Sequence, residues 1–152
     1  MKMKVIVPVA TSAWNDEIGT LCSTVASSLT TIDVSNIDKG PTSLECEYDE
    51  AMAAPHLMAS LKTAECQGYD AALIYCFGNL GLLAGKELLR IPVLAIGEPA
   101  MAVATTIGER IGIISTLHYA RRNRRRVQLF GSSKIVRVSP LSIPVMGLTD
   151  RP

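Results

Sequence analysis

Short apolar runs rich in β-branched residues alternate along this chain with longer stretches whose apolar positions recur every three or four residues. The runs predict strands over residues 4–9, 31–37, 71–76, 92–96, 111–116 and 135–138. The periodic stretches predict helices between them. The first carries Trp14, Ile18, Leu21, Cys22, Val25 and Leu29 on its apolar positions, and Ser12 can cap it. Further helices are expected over 48–67, 80–89, 99–107 and 119–130. Pro55 predicts a break or restart in the second of these, and Gly68 closes it. Residues 40–43 (Gly-Pro-Thr-Ser) read as a loop, and residues 139–152 as irregular.

Strands of near-continuous apolar character, alternating with helices, indicate a parallel sheet covered on both faces. Right-handed crossovers make such a sheet doubly wound. The expected fold is therefore α/β, a flavodoxin-like lobe over residues 1–97 followed by a partial second α/β lobe over 98–152. Ligands of doubly wound sheets sit beyond the carboxyl ends of the strands. Those ends fall at residues 8–12, 38–43, 76–79 and 97–99.

A length of 152 residues suits one ordinary domain and is short for two complete α/β domains. With 48% hydrophobic and 19% charged residues, the chain can form a substantial core and is neither disordered nor a coiled coil. The net charge of +1 conceals an asymmetry: six basic and thirteen acidic residues up to Glu109, nine basic and one acidic from Arg110 onward. Complementary charge, together with the apolar surface that half a lobe leaves uncovered, leads us to expect a homo-oligomer. The run containing Arg121, Arg122, Arg124, Arg125 and Arg126 is too dense to share one helix face. With one Trp, two Phe and no nucleic-acid-binding module, it reads as a solvated helix or one meeting an acidic surface, not as a nucleic-acid site. Apolar runs at 91–96 and 100–107 fall short of the roughly 20 residues a membrane span needs. Lys2 and Lys4 before residues 5–10 imitate a signal peptide, but Pro8 interrupts the run and Asp16 and Glu17 follow it, so a cytoplasmic setting is expected. Four cysteines without C-x-x-C spacing, and two His, argue against a metal site or a disulfide framework.

Cys76 is the first candidate for chemistry. It ends a buried strand, and the peptide N–H groups of Phe77, Gly78 and Asn79, with the helix start that follows, can favour its thiolate. Gly78 lets a ligand approach closely. The alternative is a small apolar residue at a strand end. Cys22 and Cys66 sit at apolar helical positions and read as core, and Cys46 lies between Glu45 and Glu47, which blunts a thiol. Thr11 and Ser12, and Thr42 and Ser43, can either hydrogen-bond a ligand or cap helices. Glu45, Glu47, Asp49 and Glu50 suit a helix N-terminus. His56 and His118 are isolated.

The segments KVIVPVATS (4–12), GPTSLE (40–45), YDE (48–50), YCFG (75–78) and IGEPAM (96–101) resemble the aspartate/glutamate/hydantoin racemase superfamily, nearest its hydantoin racemase branch. GIISTL (112–117) and residues 138–145 extend the likeness over almost the whole chain. The resemblance implies two similar α/β lobes with the site between them. It also implies racemisation without a cofactor by two cysteines, one removing the α-proton and the other delivering a proton to the opposite face. Cys76 matches the first. Thr11, Ser12, Pro41, Thr42, Ser43, Phe77, Gly78 and Asn79 match the neighbourhoods that hold a small substrate, a hydantoin or an amino-acid-like carboxylate. Relatives are longer, and no Cys follows Cys76 here. Asn79-Leu80 also stands where relatives commonly have Asp-Pro. Two functions are therefore expected in competition: a racemase impaired by the missing second thiol, or a binding or subunit protein that has lost the chemistry.

Overall fold

The computed structural model describes residues 1–116, 134–141 and 143–148. In chain order these form β1 (Lys2–Val7), α1 (Asn15–Val25), β2 (Thr31–Asn36), α2 (Glu47–Cys66), β3 (Ala71–Ile74), α3 (Leu82–Leu88), β4 (Val93–Ala95), α4 (Gly97–Ile107), β5 (Ile111–Thr116), β6 (Ile135–Leu141) and a 3₁₀ turn (Met146–Leu148). The first four strands make one parallel sheet in the order β2-β1-β3-β4. β5 and β6 pair in parallel as a second sheet. The α/β architecture is the one the residue pattern predicts. The predicted helix over 119–130, with its arginines, and His118 lie outside the described residues.

The apolar runs become the two central strands. Val5, Ile6 and Val7 of β1, and Ala71, Ala72 and Ile74 of β3, are buried. Against them lies one stripe of α2, Ala53, Leu57, Leu61 and Ala64, at the three- and four-residue spacing that keeps side chains on one helix face. The chain passes outward from β1 to β2, then back across to β3 on the other side of β1. The connections leaving β1 and β3 therefore diverge, which opens a crevice at the carboxyl edge.

Several boundaries and packing assignments differ from the sequence reading. α2 is continuous through Pro55 rather than broken there. Pro55 and Ala51, whose carbonyl would receive the absent N–H, both face solvent, so water can serve that carbonyl. α1 begins at Asn15 with Trp14 at its N-cap, so Ser12 is not the cap; its carbonyl accepts the Asn15 N–H at 3.0 Å. Cys66 is exposed, not core, because it lies two residues past Ala64 and off the buried stripe. Cys22 does pack against the core, and burial pushes its thiol pKa up. β6 extends to Leu141, beyond the predicted end of that strand, because Pro140 needs no N–H partner there to keep its place opposite Ser115.

Candidate functional site

Cys76 stands where the crevice opens. Tyr75 continues the ladder by donating its N–H to Ile6 O at 2.9 Å, and Cys76 then turns back, its N–H on Ile74 O at 2.9 Å. The chain leaves the strand through a turn in which the Asn79 N–H reaches Cys76 O at 3.2 Å and Asn79 adopts φ 55°. Asn is among the few non-glycine residues that accept this left-handed conformation readily. The Asn79 side chain accepts the Glu98 N–H at 3.2 Å, which ties this turn to the start of α4. Gly97 lies directly beneath: a Cβ there would sit 2.0 Å from Phe77 O and 2.8 Å from Asn79 Oδ1. α3 starts only at Leu82 and has seven residues, so the helix start predicted beside Cys76 is displaced from it.

The neighbouring loops are fastened to one another. Asn36, at the end of β2, donates its side-chain N–H to Thr11 O and accepts from Asn15 Nδ2 at 2.6 Å. Ala10 donates its N–H to Pro41 O at 2.8 Å. Asp49 caps the start of α2 by accepting the N–H groups of Glu45 and Cys46. Glu45 Oε1 accepts the Val145 N–H at 2.8 Å, a contact across 100 positions of sequence that seats the 3₁₀ segment over the first sheet.

These elements enclose a cavity of about 510 Å³. Cys76, Phe77 and Gly78 form one side of it, joined by Val7, Val9 and Tyr75. α1 contributes Trp14, Glu17, Ile18 and Leu21, β5 contributes residues from Ile113 to Thr116, and the tail contributes Val145 and Leu148. The volume and the mostly apolar lining suit a small organic ligand. Of the predicted site residues, the structure brings Cys76, Phe77 and Gly78 together on this cavity. Thr11, Ser12, Pro41, Thr42, Ser43 and Asn79 do not border it. Thr11 Oγ1 accepts the Ala13 N–H at 3.4 Å, and Ser12 and Thr42 are exposed. Burial, then the thiol of Cys22, then the carboxylate of Glu17 raise the Tyr75 pKa, so the phenol beside Cys76 keeps its proton at neutral pH. Cys22, Cys46 and Cys66 are absent from the lining, and no disulfide joins the described cysteines. Among the described residues no cluster of His, Cys, Asp and Glu could hold a metal ion, and no helix is long and apolar enough to cross a membrane.

The sequence reading marks Trp14, Ile18 and Leu21 only as apolar helix positions; Ile18 is buried in the core, Trp14 packs against it, and all three also border the cavity. The available signal was Glu17, a charge set into the middle of that stripe. Ser115, Thr116, Val145 and Leu148 carried no comparable mark.

The strand order, with a cysteine at the switch point between β1 and β3, defines a parallel, doubly wound α/β protein whose crevice opens at Cys76. The chain belongs to the Asp/Glu/hydantoin racemase family, whose model matches residues 4–147. It is 35% identical to a hydantoin racemase of Rhizobium meliloti over 125 residues, 81% of this chain and 52% of that protein. It is 31% identical to a hydantoin racemase of Paenarthrobacter aurescens, over 97% of this chain and 63% of that one. Among solved structures, allantoin racemase from Klebsiella pneumoniae superposes with a TM-score of 0.94 at 32% identity, covering 99% of this chain and 62% of that chain. The chain thus spans between about half and two thirds of the length of these relatives.

Proposed function

We propose that this protein is an isomerase of the hydantoin and allantoin racemase type, in which the Cys76 thiolate removes the acidic proton from the substituted ring carbon without a cofactor. The observation that carries this reading is the position of Cys76, at the carboxyl end of a central strand and on the 510 Å³ cavity. The thiolate takes the proton, and the electron pair of the broken C–H bond delocalises onto the adjacent ring carbonyl as an enolate. The thiol then returns the proton to carbon. Phe77, Gly78, Ser115 and Thr116 line the cavity where the oxyanion would develop, and donors placed there would stabilise it. Within this reading the chain divides at Gly97 into a lobe that supplies Cys76 and a partial lobe that covers it, and it works in the reducing cytoplasm, where the thiol persists.

Racemisation needs proton-transfer groups on both faces of the planar intermediate. Cys76 is the only cysteine among the described residues that border the cavity. The 152-residue chain is therefore expected to exchange the ring-carbon hydrogen for deuterium while largely retaining configuration. Deuterium incorporation by NMR and optical purity by chiral chromatography, on the same 5-substituted hydantoin samples, separate the two events. Cys76→Ala should lower exchange by roughly 10²–10⁴-fold. Exchange that survives Cys76→Ala would refute the assignment. A protein that binds these compounds but exchanges none would support the binding-protein alternative.

The second sheet also bears on association. Val103 and Ile107 are exposed on α4, which leads into the second sheet. We infer a homo-oligomer that covers this surface. Light scattering at micromolar concentration should show a mass above that of one chain, and a strictly monomeric species would contradict it.

A further inference from the structure

We propose that Glu45 is a positioning residue for substrate binding: its carboxylate holds Val145, and with it the Met146–Leu148 turn, in the place from which Val145 and Leu148 line the cavity that Cys76 borders. This rests on the racemase reading above and adds to it a residue outside the cavity lining.

Local bonds fix both ends of this contact. Asp49 accepts the Glu45 N–H at 2.8 Å and the Cys46 N–H at 3.0 Å, which anchors Glu45 at the start of α2. Leu44, the residue before it, is buried in the core and also borders the cavity. On the other side the tail closes on itself. Gly147 donates its N–H to Pro144 O at 3.1 Å, and Leu148 donates to Val145 O at 3.0 Å. Pro144 has no N–H to donate, and the Val145 N–H leaves the turn for Glu45 Oε1 at 2.8 Å. A turn closed by its own bonds is thus placed by a bond to the start of α2, and that bond sets Val145 and Leu148 together.

The contact is a poor device for stability. Glu45 Oε2 is buried and has no hydrogen-bond partner among the described residues. A buried acceptor left unpaired costs the folded state, and that cost offsets what the other oxygen contributes. Removing the carboxylate therefore takes away a penalty along with a bond. What it does not replace is the position of Val145. Glu45 is absent from the cavity lining, so it acts on a substrate through Val145 and Leu148 and not by touching it. The apolar contact these two side chains offer is the same before and during proton removal. Its loss weakens binding and leaves the chemical step as it was.

The test measures kcat and KM of Cys76-dependent deuterium exchange on 5-benzylhydantoin, together with the urea midpoint of each variant. Glu45→Ala should raise KM about tenfold or more, keep kcat within about threefold and keep a midpoint near that of the parent. Glu45→Gln retains an oxygen that can accept the Val145 N–H, so its KM should return to within about threefold of the parent value. Leu61→Ala destabilises the fold away from the cavity, and it should lower the midpoint while leaving KM as in the parent. An unchanged KM in Glu45→Ala, or a KM raised as far in Glu45→Gln, would overturn the role given to the carboxylate while leaving the racemase reading intact. A fall in kcat at constant KM would overturn it too, by placing Glu45 in the chemical step. A KM that rises only in step with a lowered midpoint, in Leu61→Ala as in Glu45→Ala, would reduce Glu45 to a part of the fold. Absence of Cys76-dependent exchange in the parent protein would overturn the racemase reading and this inference together.

Discussion

Replacing Gly97 by Ala should cost the folded state about 3–5 kcal/mol, a large fraction of the stability of an ordinary domain. The added methyl would lie 2.0 Å from Phe77 O and 2.9 Å from the Phe77 carbonyl carbon. Both are main-chain atoms of the turn that follows Cys76, so no rotamer change can relieve the overlap. The turn would have to move, and with it the Asn79 side chain that accepts the Glu98 N–H. The effect is therefore expected twice: as a lower urea midpoint with an unchanged slope, and as loss of Cys76-dependent exchange in whatever protein remains folded. Gly112→Ala is the control. It lies in β5, where a Cβ would meet nothing within 4 Å, and it should change stability by less than about 1 kcal/mol. A Gly97→Ala loss as small as that of the control would mean that the α4 start does not press on the Cys76 turn as described.

Leu61→Ala should cost about 2–5 kcal/mol, because Leu61 is fully buried on the α2 stripe and the helix cannot collapse onto the hole it leaves. A neighbouring glycine makes a sharper test possible. A Cβ on Gly85 of α3 would lie 3.2 Å from Leu61 Cδ1 and 3.2 Å from Val93 Cγ1. Gly85→Ala alone gains up to about 1 kcal/mol of helix propensity and loses a comparable amount to crowding, so it should be near neutral. In the Leu61→Ala background the same methyl loses its crowding against Leu61 and keeps only the close approach to Val93. The double variant should then be more stable than the sum of the single changes predicts by roughly 0.5–1 kcal/mol or more. Additive costs in a denaturant double-mutant cycle would show that α2 and α3 do not share this packing site.

The elements that the sequence reading recovered share a physical cause. β3 and the second half of β1 are short and largely buried, and two of the three β4 residues are, so these positions must be apolar and the signal is local to each run. β5 was read with its bounds intact because Gly108 and the charged Glu109-Arg110 pair punctuate the chain before Ile111. The place of Cys76 just past β3 was legible for a similar local reason: it ends an apolar run and a turn residue follows it.

Other features depend on what lies across from a residue, and local pattern is silent about that. Pro55 breaks a helix by rule, yet α2 passes through it because the carbonyl left without a partner faces water. Cys66 and Ala64 are two positions apart on one helix, and only the placement of the sheet decides that the alanine is buried and the cysteine exposed. Trp14, Ile18 and Leu21 announce an apolar helix face, but the same spacing serves a core or a ligand wall. In this fold it serves both, since Ile18 is buried in the core and Trp14, Ile18 and Leu21 border the cavity that β5 and the tail also line. The contact of Glu45 with Val145 spans 100 positions, and Gly97 presses on a turn some twenty residues earlier. By itself, then, the order of residues determined the α/β fold, the run of its strands and the place of the thiol, because burial and chain reversal are written locally. The shape of the cavity, its lining and the glycine that packs against the Cys76 turn were decided by tertiary packing, because each depends on atoms brought together from distant parts of the chain.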